Sequence, residues 1–384
     1  MAVSCPPSFE EIALTDSITA WAAAAEGAID WWTGALRRGA TPVELMADGV
    51  RWWGAMSDRR RPSWASPHHV VFESPVARLR DFSPQCAHDV VPTLVLPPQA
   101  GHDSCIVDFS PDQSQMGAIL AAGLERAYTL DWIGATALTR DVGIDDYLEV
   151  IDRAVDHAGG AVNLIGDCQG GWLATIYAAL RPKRINTLTI AGAPIDFHCG
   201  EPVIHAALSA LAPGGNLAFY RALVAAGGGV LAGEHMLAGF IAIKPDNEIA
   251  RQLQLLVNIR DFEHRERYRE FEDWFKHTQA IPGAFYLWIV EHLFRDNELI
   301  AGALEVGGER VDLGRIACPL NLLAGAADHI TPPDQVFALA RYAGTAPADV
   351  LREVTSGGHL GLFMGRDALS RHWPPLLAAV RARS

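Results

Sequence analysis

Over the first fifty or so positions, apolar residues recur at helical spacing. Ile18, Trp21, Ala22, Ala25, Ile29, Trp32 and Leu36 share one face of a predicted helix over 17–38. Arg37 and Arg38 suit its C-terminal end, and Gly39 suits a left-handed cap. Thr41, Pro42 and Glu44 supply an N-cap, a first-position proline and a capping box for a second helix reaching about Met56. Trp31, Trp32, Trp52 and Trp53 make this pair rich in aromatic surface, suited to packing or to an amphipathic face for a partner or a lipid-like polymer.

Near His69 the pattern changes to strands. Residues 70–72 and 76–82 read as a hairpin around Glu73-Ser74-Pro75, and 93–96 as a buried strand stopped by Pro97-Pro98. Helix and strand then alternate. Helices are predicted over 114–123, 144–158 and 173–180, and strands over 127–132, 162–165 and 187–191. Alternation of this kind predicts a parallel sheet covered on both faces, with right-handed crossovers and ligands at the C-terminal ends of the strands. From 198 to 299 it stops, and helices are expected over 203–212, 217–226, 250–258, 262–277 and 282–294. Such an insertion suits a lid, with Gly214-Gly215 and Gly227-Gly228-Gly229 as tight turns or hinges. The sheet resumes with strands 320–324 and 350–354 and helices 334–342 and 369–381. The predicted organisation is an N-terminal helical extension (1–65), a first core segment (66–197), a helical lid (198–299) and a second core segment (300–384).

One stretch within this pattern carries chemistry. Val162-Asn163-Leu164-Ile165 runs into Gly166-Asp167-Cys168-Gln169-Gly170, a nucleophile elbow with cysteine where serine is usual. A nucleophile on a sharp strand-to-helix turn crowds its own backbone, so the positions two before and two after it must be small. The amide of Gln169 and the helix N-terminus then face a developing oxyanion and favour a thiolate. The second oxyanion amide is expected in the loop after strand 93–96, at Gly101 and His102. Downstream, Asp328 and His359 each follow a predicted strand, so the order is nucleophile, acid, histidine, as in α/β-hydrolase triads. His359 would be the general base and Asp328 would orient it. His329 is a rival base and Asp196 a rival acid, whereas the Asp167 side chain should point away and bond the turn. A thiol nucleophile suits exchange between thioesters, and also permits ester hydrolysis.

Composition narrows the field. The 384 residues carry a net charge of -14, which argues against nucleic acid as a partner. The cysteines at 5, 86, 105, 168, 199 and 318 form no C-x-x-C pair, so no metal site or disulfide framework is expected. Glu10, Glu11 and Asp16 precede any apolar run, and 217–243 is interrupted by Arg221 and Glu234. No secretory signal and no transmembrane segment are predicted, and the expected location is cytoplasmic.

The segment Val162 to Phe197, with Gly166-Asp167-Cys168-Gln169-Gly170-Gly171 and Ala191-Gly192-Ala193-Pro194-Ile195-Asp196-Phe197, resembles the polyhydroxyalkanoate synthase family. So do Tyr128-Thr129-Leu130-Asp131-Trp132, Val311-Asp312-Leu313, Asp328-His329-Ile330-Thr331-Pro332-Pro333 and Gly357-Gly358-His359-Leu360-Gly361, and the likeness covers roughly 66–382. The resemblance implies an α/β-hydrolase fold and an acyltransferase. Cys168, Asp328 and His359 would act on hydroxyacyl-coenzyme A thioesters as substrate, with no bound cofactor. It further implies a polyester granule surface and a homodimer as partners. The loop Ala100-Gly101-His102-Asp103 looks more like intracellular polyhydroxyalkanoate depolymerases, which makes a depolymerase or thioesterase the alternative. A catalytically silent granule-coat or scaffold protein is a third reading.

Overall fold

The computed structural model describes residues 9–85, 87, 89–200 and 203–384. Cys5, Cys86 and the side chains of Glu10, Glu11, Asp16, Ile18 and Trp21 lie outside what is described. In chain order the main elements are α1 (Phe9–Arg37), α2 (Pro42–Ser57), β1 (His69–Glu73), β2 (Ala77–Asp81), β3 (Thr93–Leu96), α3 (Gln115–Ala121), β4 (Ala127–Trp132), α4 (Ile144–Ala158), β5 (Val162–Asp167), α5 (Gln169–Leu180) and β6 (Ile185–Ala191). Then come α6 (Val203–Leu211), α7 (Ala218–Ala226), α8 (Gly233–Ile243), α9 (Pro245–Val257), α10 (Phe262–Phe275), α11 (Gly283–Trp288), β7 (Leu320–Gly325), α12 (Pro333–Phe337), β8 (Val350–Thr355) and α13 (Trp373–Arg381).

The chain divides into two compact units. One joins the described residues up to Pro62 with Glu234–Thr278, and the other comprises Ser63–Gly233 and Gln279–Ser384. In the second unit, eight strands form one sheet in the order β1-β2-β4-β3-β5-β6-β7-β8. β1 and β2 pair antiparallel, as do β2 and β4, and every later pairing is parallel. The parallel part is the sheet expected from the alternation, and the whole is the α/β-hydrolase arrangement that the resemblance implies. β3, β4, β5 and β7 are buried along their whole length, as central parallel strands covered on both faces must be. α4 buries Tyr147, Val150, Ile151, Ala154 and Val155 at helical spacing. In α5 every residue after Gln169 is buried, so this helix has no solvent face to display a period. Burial of Leu173 or Ile176 there contributes about 1.5–3 kcal/mol each.

The Tyr128-Thr129-Leu130-Asp131-Trp132 motif is structural. Arg80 donates to the Asp131 carboxylate from Nε at 3.0 Å and Nη2 at 2.6 Å, tying β2 to β4. Trp132 Nε1 donates to the Pro97 carbonyl at 2.8 Å and fixes the start of the loop after β3. Within the same unit, Leu208, Ala212, Leu217, Tyr220 and Val290 pack together, drawing the helical segment 203–226 onto 286–294. Gly214, Gly215, Gly228 and Gly229 all have positive φ, the geometry of turns. α11 continues into a π-helical turn, Ile289–Arg295.

In the first unit the capping box of α2 is present. Glu44 N–H donates to Thr41 Oγ1 at 3.3 Å, and Thr41 N–H donates to Glu44 Oε2 at 2.8 Å. α1 packs on α9 so closely that a Cβ at Gly27 would lie 2.7 Å from Leu253 Cβ. Trp52 packs against Ala55, Leu255, Ile259 and Tyr268 and donates from Nε1 to the Gln252 carbonyl at 3.0 Å, whereas Trp32 and Trp53 are exposed. Asp48, fully buried, collects Arg38 at 2.6 Å, Arg51 at 2.9 Å and Arg260 at 3.0 Å. Among the described residues, no helix is long and apolar enough to cross a membrane.

Candidate active site

Cys168 sits between β5 and α5 with φ 51° and ψ -118°, a backbone conformation that L-residues rarely adopt and that costs on the order of 1–3 kcal/mol. The surroundings hold it there. Cys168 N–H donates to the Ala191 carbonyl at 2.9 Å, and Gly171 N–H donates to the Cys168 carbonyl at 2.9 Å. The flanking glycines are required by contact. A Cβ at Gly166 would lie 2.5 Å from the Gly170 oxygen, 2.6 Å from Gly171 Cα and 2.8 Å from Ala174 Cβ. A Cβ at Gly170 would run into the Leu96 carbonyl, and one at Gly171 into Ala193 Cβ. The need for Gly171 was not read from the sequence, because it comes from the approach of Ala193, in the segment after β6. β5 ends at Asp167 and α5 begins at Gln169, so Cys168 alone forms the turn between strand and helix.

The acid and histidine loops interlock at the ends of β7 and β8. Ala326 N–H donates to the Thr355 carbonyl at 2.8 Å, and a Cβ at Gly325 would lie 2.5 Å from the Gly357 oxygen. This places His359 Nδ1 2.7 Å from Asp328 Oδ2. Asp328 Oδ1 accepts from the Ile330 and Thr331 amides, both at 2.9 Å. Both side chains are buried. Burial opposes charge on the imidazole, but the neighbouring Cys168 and Asp328 outweigh it and hold His359 well above the usual histidine range. Asp196 Oδ1 accepts from Asn297 Nδ2 at 2.9 Å and the His198 amide at 3.2 Å, and His329, half-buried, adjoins the acid without replacing His359 as its partner.

The other described cysteines have different surroundings. Burial pushes the Cys318 thiol up to about 11, and raises the Cys105 thiol further, with Asp103 beside it adding to the effect. Gly101, with φ 82°, and the half-buried His102 belong to the loop after β3, and the Gly101 carbonyl accepts from the Gln279 amide at 2.8 Å. Asp167 does not bond the turn as expected. Its partner is Gln115, whose Nε2 donates to Oδ1 at 3.2 Å, and nothing in the spacing of the sequence links these two. Among the described residues, no group of three or more His, Cys, Asp or Glu side chains is placed to hold a metal ion.

An eight-stranded sheet of this order, a cysteine at the elbow of its fifth strand and an Asp–His pair after its seventh and eighth define an α/β-hydrolase-fold protein of the cysteine-elbow type. Residues 79–366 match the family described as "Protein of unknown function (DUF3141)", and the chain belongs to that family. The resemblance to polyhydroxyalkanoate synthases is also borne out. The chain is 27% identical over 278 residues to the Poly(3-hydroxyalkanoate) polymerase subunit PhaC of Allochromatium vinosum, covering 71% of this chain and 75% of that protein. It is 26% identical over 319 residues to the subunit of the same name from Haloferax mediterranei, covering 80% of this chain and 62% of that protein. Among solved structures, the epoxide hydrolase of Bacillus megaterium aligns with a TM-score of 0.48 and 10% identity, over 81% of this chain and 99% of that one.

Proposed function

We propose that this protein is a polyhydroxyalkanoate-synthase-like acyltransferase that uses Cys168, His359 and Asp328 on hydroxyacyl-coenzyme A thioesters. The reading is supported by the strained elbow at Cys168 and by the buried His359–Asp328 hydrogen bond, in a chain similar to proteins named polymerases of 3-hydroxyalkanoates. The Cys168 thiolate attacks the thioester carbonyl, with the negative charge of the tetrahedral intermediate facing the Gln169 amide and the Gly101–His102 loop. His359 gives its proton to the departing coenzyme A sulfur, and the acyl group remains on Cys168 as a thioester. A hydroxyl of a second hydroxyacyl unit then attacks, losing its proton to His359, and an ester bond forms as the Cys168 thiolate is released. Asp328 holds the imidazole with Nε2 toward sulfur and stabilises its charged form. No bound cofactor is needed, and the growing polyester is the partner this chemistry implies.

The test is to incubate the purified protein with 3-hydroxybutyryl-coenzyme A. Release of free thiol together with insoluble polyester supports acyl transfer to a hydroxyl. Thiol release with only monomeric acid assigns the same triad to a hydrolase, and thiol release that persists in Cys168→Ala refutes the assignment of the nucleophile.

A further inference from the structure

Asp167 is the last residue of β5, adjoins the nucleophile and is fully buried. Its Oδ1 accepts one hydrogen bond, from Gln115 Nε2 at 3.2 Å, and its Oδ2 has no donor. Gln115, at the first position of α3, is equally buried, and its Oε1 also lacks a donor. Two side chains that already share one hydrogen bond thus hold two buried acceptors with nothing to accept. Turning the amide round exchanges the contacts and adds no donor. Buried polar atoms are otherwise almost always paired, and an ionised carboxylate with a single neutral donor is costly to bury. One proton resolves both vacancies. A neutral carboxylic acid presents one O–H and one C=O, which match the C=O and N–H of the amide in two antiparallel bonds.

We propose that Asp167 is a neutral acid, joined to Gln115 by a two-bond acid–amide clasp that positions the elbow and keeps a second negative charge away from His359. The proposal rests on the reading of Cys168 and His359 as the reacting pair. Burial favours the neutral form, pushing the carboxyl up to about 8 against the opposing effects of the Gln115 hydrogen bond and the charge of His359. The groups that act on Asp167 are Gln115, from α3, which is neutral, and His359, from the loop after β8. With Asp167 neutral, Asp328 is the carboxylate that biases His359. Ionisation of Asp167 adds a second, which makes the imidazolium a weaker acid toward the leaving group. Asp167 is therefore a positioning residue that acts through Cys168 and His359.

The test uses the full-length protein and no substrate. Infrared difference spectra of wild type against Asp167→Asn should show the carbonyl stretch of a protonated carboxylic acid at pH 6, fading as the pH rises through about 8. Asparagine can make both bonds to Gln115, so the fold should survive. The pH profile of Cys168 alkylation by iodoacetamide should carry in wild type a step near the same pH, over and above that of the thiol's own ionisation, and the variant should lack that extra step. If the variant does not fold, wild type carrying carboxyl-labelled aspartate answers the same question through the isotope shift of its band. Absence of a protonated carboxyl at pH 6 overturns the proposal, as does an extra step that persists in Asp167→Asn. Failure of the acyl-transfer reading would appear separately, as thiol release that survives loss of Cys168.

Discussion

Gly166→Ala tests whether the elbow's shape, rather than its sulfur alone, sets activity. The added methyl would lie 2.5 Å from the Gly170 oxygen, 2.6 Å from Gly171 Cα and 2.8 Å from Ala174 Cβ. Ordinary contacts begin near about 3.5 Å, so each atom must retreat by roughly 0.7–1 Å. All three belong to α5, so the strain pushes the whole helix start away from β5 and carries Cys168 out of line with His359. A misplacement of about 1 Å costs on the order of 10²-fold in rate, or about 2.7 kcal/mol of transition-state stabilisation. Overpacking of this kind destabilises by about 1–3 kcal/mol. The assay is twofold: thiol release from 3-hydroxybutyryl-coenzyme A, and the second-order rate of iodoacetamide attack on Cys168, which needs no substrate. Gly49→Ala is the control. It lies in α2, a Cβ there meets nothing within 4 Å, and it should raise stability by up to about 1 kcal/mol with activity unchanged. Wild-type rates in Gly166→Ala, in both assays, would refute the argument.

Three further outcomes are expected. Cys168→Ala and His359→Ala should each abolish acyl transfer, while Asp328→Asn should lower kcat by on the order of 10³–10⁴-fold, since it orients and does not react; circular dichroism should show all three folded. Asp48→Asn should destabilise the protein by about 1–3 kcal/mol in urea melts, because three arginines lose a buried carboxylate but are themselves partly solvated, and Cys168 alkylation should be unaffected. Stability should also depend on pH through Asp167. Its folded-state pKa is raised above the unfolded value, so the stabilisation associated with its neutral form is fully present below about 4 and is lost as the pH rises to about 8. Melting temperatures from pH 4 to 9 should show this decline in wild type, and Asp167→Asn should flatten that part of it.

Much of the sheet unit was legible because its elements have clear ends. Pro97-Pro98 stops β3, and Gly159-Gly160 separates α4 from β5, so the predicted 93–96, 127–132 and 144–158 match the observed ranges. The two N-terminal helices were legible through Gly39 and the Thr41–Glu44 box, although α1 begins at Phe9, earlier than the periodicity showed. α8 was missed because Leu237, Phe240 and Ile241 lie among Gly233 and Gly239 with no polar face to mark a period. The order of Cys168, Asp328 and His359 could be read because each follows a strand. Chain order already favours Asp328 over Asp196; what the sequence does not show is that Asn297, a hundred residues on, bonds Asp196. Asp48 and Gln115 were invisible for a related reason. Each is a polar residue on a helix, and only tertiary contacts from Arg260 and Asp167 show that it is buried.

The strained turn at position 168 has an evolutionary consequence. Its φ of 51° is imposed by Gly166, Gly170 and Gly171 and by the strand ends they touch, and the side chain at the tip takes no part in making it. Any L-residue there meets the same backbone penalty, so exchange between sulfur and oxygen is nearly neutral for folding while its glycine neighbours are not free to vary. A lineage with this scaffold can exchange sulfur for oxygen at this position by a single substitution with stability hardly altered, while the glycines around it stay fixed.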